Sequence, residues 1–421
     1  MSVRSNQLTG LAAAITALAR LDAPADGLLH RFFRDHREMG QHDRAFVAEG
    51  VFAWLRRRRS LESIAQTRAP ARLALAVAVR ELGHSVRELG DVVSAEALDW
   101  LREFKARAGQ PLEPAVALDL PDWLWARIEA AHGTEQGTAL ARALAQPAPL
   151  DLRVNTLKTT REAVQAALAT AGWTAEPTPL SPVGLRTAGR PAINRHPTFL
   201  AGEVEVQDEG SQLVGWLVAP RRHDMVVDFC AGSGGKTLLL GALMRSQGRL
   251  YAFDVSARRL ANLKPRLARS GLSNVHPQVI ASERDPRVGR LAGKIDRVLV
   301  DAPCTGFGTL RRNPDLKWRQ SPEGVAELAA KQAAILAAAA RLVKPGGRLV
   351  YATCSILPEE NDVIVDGFLA QNPRFRPVPV AAELARAGIG LDTGERLRLY
   401  PHVHGCDGFF AAIVERIPET S

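Results

Sequence analysis

Apolar positions recur at helical spacing through the first third of the chain. Leu8, Leu11, Ile15 and Leu18 form one such face, with Asp22 close behind. Phe46, Phe52 and Trp54-Leu55 punctuate a second helix, expected to end in Arg56-Arg57-Arg58-Arg59. Pro70 opens a third, bearing Leu73, Leu75, Val77 and Val79. Leu98, Trp100, Leu101 and Phe104 mark another, and Pro121-Asp122 opens one carrying Trp123, Trp125 and Ile128. These aromatics are expected in a core rather than on a stacking surface. Residues 1–145 therefore predict an all-helical domain.

The period then changes. Residues 150–155 alternate as a strand should, 160–171 return to a helix, and Pro- and Gly-punctuated segments lead to Glu203-Val-Glu-Val-Gln207. Residues 147–220 thus predict a small α/β module. From residue 221 strand and helix alternate, with strands at 226–228, 250–254, 275–280, 298–301 and 349–352. An alanine-rich helix over 327–343 precedes Lys344-Pro-Gly-Gly347, a turn expected to launch the fifth strand. That alternation predicts a doubly wound parallel α/β sheet over 221–421. At its end, 397–400 and 409–414 are separated by Gly405-Cys-Asp-Gly408 and by no helix. They predict a terminal hairpin whose last strand is antiparallel in the sheet.

Composition adds bounds. A chain of 421 residues with 46% hydrophobic and 24% charged positions suits two or three domains of a soluble globular protein. Its net charge of +9 and pI near 9.8 favour a polyanionic partner such as nucleic acid. The arginine run could contact phosphates or be a solvated helix end. Four cysteines (Cys230, Cys304, Cys354, Cys406) show neither a CxxC pair nor metal-ligand spacing, so no metal site or disulfide framework is expected. That usage fits a reducing cytoplasm. Residues 11–19 after Arg4 have some signal-peptide character, but their helical spacing favours an ordinary first helix. No apolar run is long enough for a membrane span.

The chemistry gathers at strand ends. In open α/β sheets ligands bind beyond the carboxyl ends of the strands. Asp228-Phe-Cys-Ala-Gly232-Ser-Gly234-Gly235-Lys236-Thr237 follows the first strand and opens a helix, so its glycines can bring backbone amides close to a ligand. A nucleotide-phosphate loop would need glycine where Cys230 stands. A nucleoside-binding loop needs an acid about 20 residues on, and Asp254 lies there, twenty beyond Gly234. The third glycine of the dinucleotide fingerprint is absent at Thr237, which favours S-adenosylmethionine over NAD.

Val298-Leu-Val-Asp301-Ala-Pro-Cys304 is a buried strand running into an acid and a thiol, and Tyr351-Ala-Thr353-Cys354-Ser355 repeats the arrangement. Neighbouring fourth and fifth strands would put both thiols at one rim beside the cofactor loop. A thiolate, an acid and a methyl donor together suit methylation of pyrimidine C5. That carbon is too weak a nucleophile until a thiolate adds at C6. The base must be unstacked to reach such a pocket.

These motifs, with Arg311-Arg-Asn-Pro-Asp-Leu-Lys-Trp318 and Asp407-Gly-Phe-Phe410, resemble the Nop/Sun (RsmB-like) family of S-adenosylmethionine-dependent RNA cytosine-5 methyltransferases. The resemblance extends over about 147–416. Arg153-Val-Asn155 and Gln207-Asp-Glu-Gly-Ser211 resemble the module preceding the family's catalytic domain, and the helical part more loosely resembles an antiterminator-like RNA-binding domain. The resemblance implies a Rossmann-like class I methyltransferase sheet with Cys354 as nucleophile and Cys304 as the thiol that permits product release. It implies that Cys230, Ala231, Gly232, Ser233, Gly234, Gly235, Lys236 and Asp254 bind S-adenosylmethionine, with Asp301 between cofactor and cytosine. Where many members place an adenine-holding aspartate, this chain has Ser282 with Glu283 next to it, and Ser233 stands where many carry proline. The segment 311–318 could contact phosphate and stack a base, or be a loop held in a core by Trp318.

The expected activity is methylation of a cytosine at C5 in RNA, small-subunit ribosomal RNA by resemblance, in the cytoplasm and without membrane or metal. Transfer RNA is the competing substrate. A catalytically silent RNA-binding assembly factor is the competing class, and a nucleotide hydrolase a third reading.

Overall fold

Leu8, Leu11, Ile15 and Leu18 are all buried along α1 (Ser5–Leu18) in a computed structural model of the chain that describes residues 3–418. The helices α2 (Ala25–Asp35), α3 (Gln41–Ala65), α4 (Pro70–Arg80), α5 (Ala95–Arg107), α6 (Pro114–Ala117) and α7 (Asp122–Leu144) follow. Pro70 occupies the first turn of α4, where a missing N–H costs nothing, and the Ser94 hydroxyl accepts from Ala97 N–H to start α5. Trp54, Leu55 and Phe104 are fully buried. The expected core role of the helical aromatics holds for Trp54, Phe104 and Trp125, while Phe46, Phe52, Trp100 and Trp123 are half-buried.

The arginine run departs from expectation. It ends nothing: α3 kinks at Arg57 (φ −116°, ψ 21°) and continues to Ala65, because Leu61, Ile64 and Ala65 lie beyond the run and are buried. None of the four guanidinium groups is simply solvated. Arg57 pairs with Glu81 and Asp119, Arg58 with Glu62, and Arg59 with Asp122 and the Leu120 carbonyl. Arg56 donates to the carbonyl of Arg311.

Residues 148–206 form a four-stranded antiparallel sheet in the order β2 (Ala175–Pro177), β3 (Gly184–Thr187), β1 (Leu150–Val154), β4 (Val204–Val206). Helices α8 (Arg161–Thr170) and α9 (Pro197–Leu200) accompany it. Leu152, Val164, Leu168 and Leu185 fill its core.

The larger sheet follows α10 (Glu209–Val218). Its strands are β5 (Met225–Asp228), β6 (Arg249–Asp254), β7 (Val275–Val279), β8 (Ile295–Asp301), β9 (Val343–Thr353), β10 (Phe375–Val378), β11 (Leu397–Leu399) and β12 (Phe409–Arg416). Helices α11 (Gly235–Leu243), α12 (Ala257–Ser270), α13 (Pro286–Gly289), α14 (Leu316–Arg319), α15 (Pro322–Ala340), α16 (Asp362–Gln371), α17 (Val380–Arg386) and α18 (Pro401–His404) intervene. The strand order is β10-β12-β9-β8-β5-β6-β7, with β11 paired to β12. Strands β5 to β9 are mutually parallel, and β12 runs antiparallel to β9. The fourth and fifth parallel strands are therefore neighbours, and the terminal hairpin forms with α18 in its connection. Residues 344–347 lie inside β9 as an irregularity in its register with β8, rather than in a turn before it. The short edge strand β10, interrupted by Pro377, carries only a weak alternating pattern.

The chain divides into two compact units, and the boundary is not linear. Residues up to 147 group with 309–321, and residues 148–308 group with the rest. Inside the helical unit, the Trp318 indole N–H donates to the Leu55 carbonyl at 2.7 Å and Lys317 Nζ to the Arg56 carbonyl at 2.9 Å, both at the α3 kink. Asp315 accepts from Ala25 N–H. Of the two readings of residues 311–318, the structure supports the one in which Trp318 holds the segment in place. Burial pushes the Lys317 ammonium down to about 7, with Asp119 opposing the fall.

Candidate active site

The parallel strands bring the sequence-selected residues to one rim. Between β5 and α11 the chain makes a tight turn in which Gly232 (φ 56°) and Gly234 (φ 81°) are left-handed. A Cβ on Gly234 would lie 2.1 Å from Leu263 Cδ1, so this glycine serves packing; the space at Gly232 is open, where a ligand can approach the backbone. Asp254, at the end of β6, accepts from Gly232 N–H at 2.8 Å and from Ser256 N–H at 2.7 Å. One carboxylate thereby ties the glycine turn to the second strand. Beyond these strand ends lies a cleft of about 770 Å³, within the range of small-molecule sites.

Every site residue singled out above lines this cleft except Gly234 and Ser282. The Ser282 hydroxyl accepts from Arg284 N–H in a local turn, and the cleft wall at that point is Glu283. Of the two alternatives at this position, Ser282 or Glu283, it is Glu283 that faces the cleft, because the serine followed by two charged residues and Asp285 makes a local turn.

Asp301 ends β8, and its Oδ2 accepts from Lys236 Nζ at 2.7 Å. Burial alone would lower the lysine, but Asp301 beside it, then Cys354 and Asp228, hold its ammonium above the ordinary value. The same ammonium stands 5.2 Å from the centre of the Phe409 ring. Thr237 donates to Asp228 at 2.7 Å. The lysine and hydroxyl of a phosphate loop are thus both engaged within the protein, which counts against the hydrolase reading.

The two cysteines meet. Cys304 Sγ and Cys354 Sγ are 3.4 Å apart, on the loops leaving β8 and β9. The Cys354 sulfur, then burial, then the Glu360 carboxylate push the Cys304 thiol well up, so it stays protonated at neutral pH. Cys230 is pushed up as well, first by burial and then by Asp228, Asp301 and Asp254, and is a poor nucleophile. Such a pair can divide labour, one sulfur attacking while the other keeps its proton.

Close approach of backbones frames the thiols. Gly308 N–H donates to the Cys354 carbonyl at 2.9 Å, and Gly408 N–H donates to the Gly308 carbonyl at 2.8 Å. A Cβ on Gly308 would lie 2.1 Å from the Gly408 oxygen. The Asp407-Gly-Phe-Phe410 motif therefore acts as a backbone strut under the cysteine loops.

The motif residues Arg153 and Gln207, together with Glu205, Arg266 and Arg269, whose roles the sequence does not show, support the cofactor turn. Buried Arg153 donates to the Gly235 carbonyl at 2.6 Å and to Gln207. Arg266 donates to the Ser233 carbonyl at 2.7 Å, and Glu205 of β4 grips Arg266 and Arg269 at 2.9 and 2.7 Å. The small sheet thus anchors the turn through two arginines.

Asp228 is 1% exposed; Thr237 satisfies its Oδ2, and Oδ1 has no partner among the described residues. Burial pushes its carboxyl up to about 7 against that hydrogen bond, with Asp301 adding to the rise. A raised acid contributes stability below its unfolded value near 4 that is lost as pH rises through the folded value. An Asp228→Asn variant should therefore gain stability relative to the unaltered chain between pH 5 and 8, by more than about 1 kcal/mol in urea unfolding. A difference that stays constant with pH would contradict the assignment.

A parallel sheet with one reversed strand beside β9, and a glycine turn after its first strand, defines the class I methyltransferase fold. A profile described as 16S rRNA methyltransferase RsmB/F matches residues 215–415, and a ferredoxin-like domain profile of RsmF/B-like methyltransferases matches 120–194. The chain is 38% identical over 298 residues to a probable ribosomal RNA small subunit methyltransferase B of Synechocystis sp., covering 70% of this chain and 66% of that one. It is 36% identical over 317 residues to ribosomal RNA small subunit methyltransferase B of Yersinia pseudotuberculosis, covering 74% and 71%. It therefore spans just under two thirds of the Synechocystis relative. A crystal structure of PH0851 matches with a TM-score of 0.78 at 27% identity, over 99% of this chain and all of that one. The chain belongs to the RsmB/F family of methyltransferases.

Proposed function

We propose that the chain transfers a methyl group from S-adenosylmethionine to C5 of a cytosine in small-subunit ribosomal RNA, in the cytoplasm, through a covalent adduct on Cys354. The observation that carries the reading is the pair of sulfurs 3.4 Å apart beside the Lys236–Asp301 ion pair, at the rim of the glycine-turn cleft.

The cleft suits the cofactor. The open backbone at Gly232 and the Asp254 carboxylate can receive its ribose and amino acid parts, and Val255 and Ile280 offer apolar walls. S-adenosylmethionine bound there supplies the electrophilic methyl that C5 takes. The remaining work falls to the chain. Asp301, with Lys236 beside it, holds the N3 and exocyclic-amine edge of an unstacked cytosine. Cys354 Sγ adds to C6, which pushes electron density to C5. After methylation a base takes the C5 proton, the C5–H electron pair forms the C5=C6 double bond, and the C6–S bond breaks with its pair returning to Cys354 as a thiolate. Cys304, held protonated beside that sulfur, governs this release.

Glu205→Gln should loosen Arg266 and weaken S-adenosylmethionine binding roughly tenfold in calorimetric titration, the loss expected for one charge-assisted hydrogen bond. Unchanged affinity would remove the small sheet from the support of the cofactor turn. The substrate assignment is tested by bisulfite sequencing after incubation with S-adenosylmethionine and either small-subunit rRNA, free and in its particle, or bulk transfer RNA. Protection of a cytosine in the rRNA is expected. Protection only in transfer RNA, or none, would overturn the assignment.

A further inference from the structure

Behind the two sulfurs lies a side chain to which the mechanism so far gives no task. Glu360 follows β9 in the short helical turn Pro358–Glu360 and is wholly buried, at 0% exposure. Burying a carboxylate is costly unless its oxygens are satisfied. Here the donors come from both cysteine loops. Oε1 accepts from Thr305 N–H at 2.8 Å and from Gln332 Nε2 at 3.0 Å; Oε2 accepts from the Thr305 hydroxyl at 2.5 Å and from the Ser355 hydroxyl. Thr305 directly follows Cys304, and Ser355 directly follows Cys354. Gln332 also donates to the Pro303 carbonyl at 2.9 Å.

All four donors are neutral, and among the described residues no cationic side chain is paired with the carboxylate. A side chain serving only to fill space there would be apolar, and an amide would bring two N–H groups to a site that needs acceptors alone. The neighbouring backbone reinforces the placement. The Tyr351 hydroxyl donates to the Glu360 carbonyl at 2.6 Å, and Asn361 accepts from the Thr353 hydroxyl at 2.5 Å and donates to the Ser355 carbonyl at 3.1 Å.

We infer that Glu360 is a positioning residue for both thiols: its carboxylate clamps the Cys304 loop to the Cys354 loop and sets the gap across which the base is attacked and released. This rests on the covalent reading of the proposed function. The carboxylate also contributes to keeping Cys304 a thiol, after the Cys354 sulfur and burial.

The test uses the full chain with Glu360→Gln, which preserves shape, and Thr305→Val, which removes one donor from the clamp. Each should lower kcat for RNA methylation at least about tenfold, with KM for RNA within about twofold, since loss of alignment at the reacting atoms costs rate rather than affinity. Alkylation of Cys304 by iodoacetamide, followed against pH in the Cys354→Ala background, supplies a readout that a merely structural role would not move. Adding Glu360→Gln should shift its midpoint to lower pH. A kcat within about threefold of the unaltered chain, or a fall in kcat with the alkylation midpoint unmoved, would overturn the inference. If neither the unaltered chain nor a Cys304→Ala variant ever forms an RNA adduct, the covalent reading fails instead, and the alkylation midpoint still reports on Glu360.

Discussion

A Cys354→Ser variant should lose methyl transfer by at least about 10⁴-fold and form no covalent complex with RNA. The size of the effect follows from the chemistry. A serine hydroxyl is almost never ionised at neutral pH and adds poorly to C6, and without that addition C5 stays a weak nucleophile. The fold should survive, because the change is nearly isosteric and leaves the backbone hydrogen bond from Gly308 N–H to the residue-354 carbonyl in place. The comparison is made by following methyl incorporation from labelled S-adenosylmethionine, with calorimetric titration of the cofactor as a control. Appreciable methylation by the serine variant would give the attack to another group.

The second large effect has the opposite outward sign. Cys304→Ala should leave attack and methylation intact while preventing release, so that protein and RNA accumulate as a complex stable in denaturant. Cys304 lies 3.4 Å from the attacking sulfur and is held as a thiol, which fits a group acting after the methyl has arrived. Multiple turnover should fall by about 10²-fold or more, while a single turnover of adduct formation proceeds. Denaturing electrophoresis with labelled RNA separates these cases. If the alanine variant turns over normally and no complex accumulates, release belongs elsewhere.

Much of this architecture was legible because burial writes itself into periodicity. The parallel strands are continuous apolar runs, and the proposed site residues Asp301, Cys304, Cys354 and Asp254 stand where those runs stop. Chain order alone therefore placed them at one rim. What escaped depends on contacts between distant segments. Glu360 bonds to Thr305 across 55 residues and Arg266 to Glu205 across 61. Pro358-Glu-Glu360 looks like an acidic helix start, with nothing in its spacing to show a buried carboxylate. The arginine run differs from expectation for a related reason. Four like charges suggest solvent, whereas the acidic partners of Arg57 and Arg59, Glu81, Asp119 and Asp122, lie one or more helices away. Nor could local pattern show that residues 309–321, which follow the Cys304 loop, group with the helical unit. Hydrogen bonds from Trp318 to Leu55, from Lys317 to Arg56 and from Ala25 to Asp315 join that segment to the helices.

The central claim is that the methyl goes to C5 by way of an adduct at C6. It is tested most directly by tritium release from RNA labelled at cytosine C5, measured beside methyl incorporation in the same reaction. The account predicts that one tritium leaves for each methyl gained in the unaltered protein, with neither event in Cys354→Ser. Methyl incorporation without tritium release would place the methyl on another atom and contradict the account.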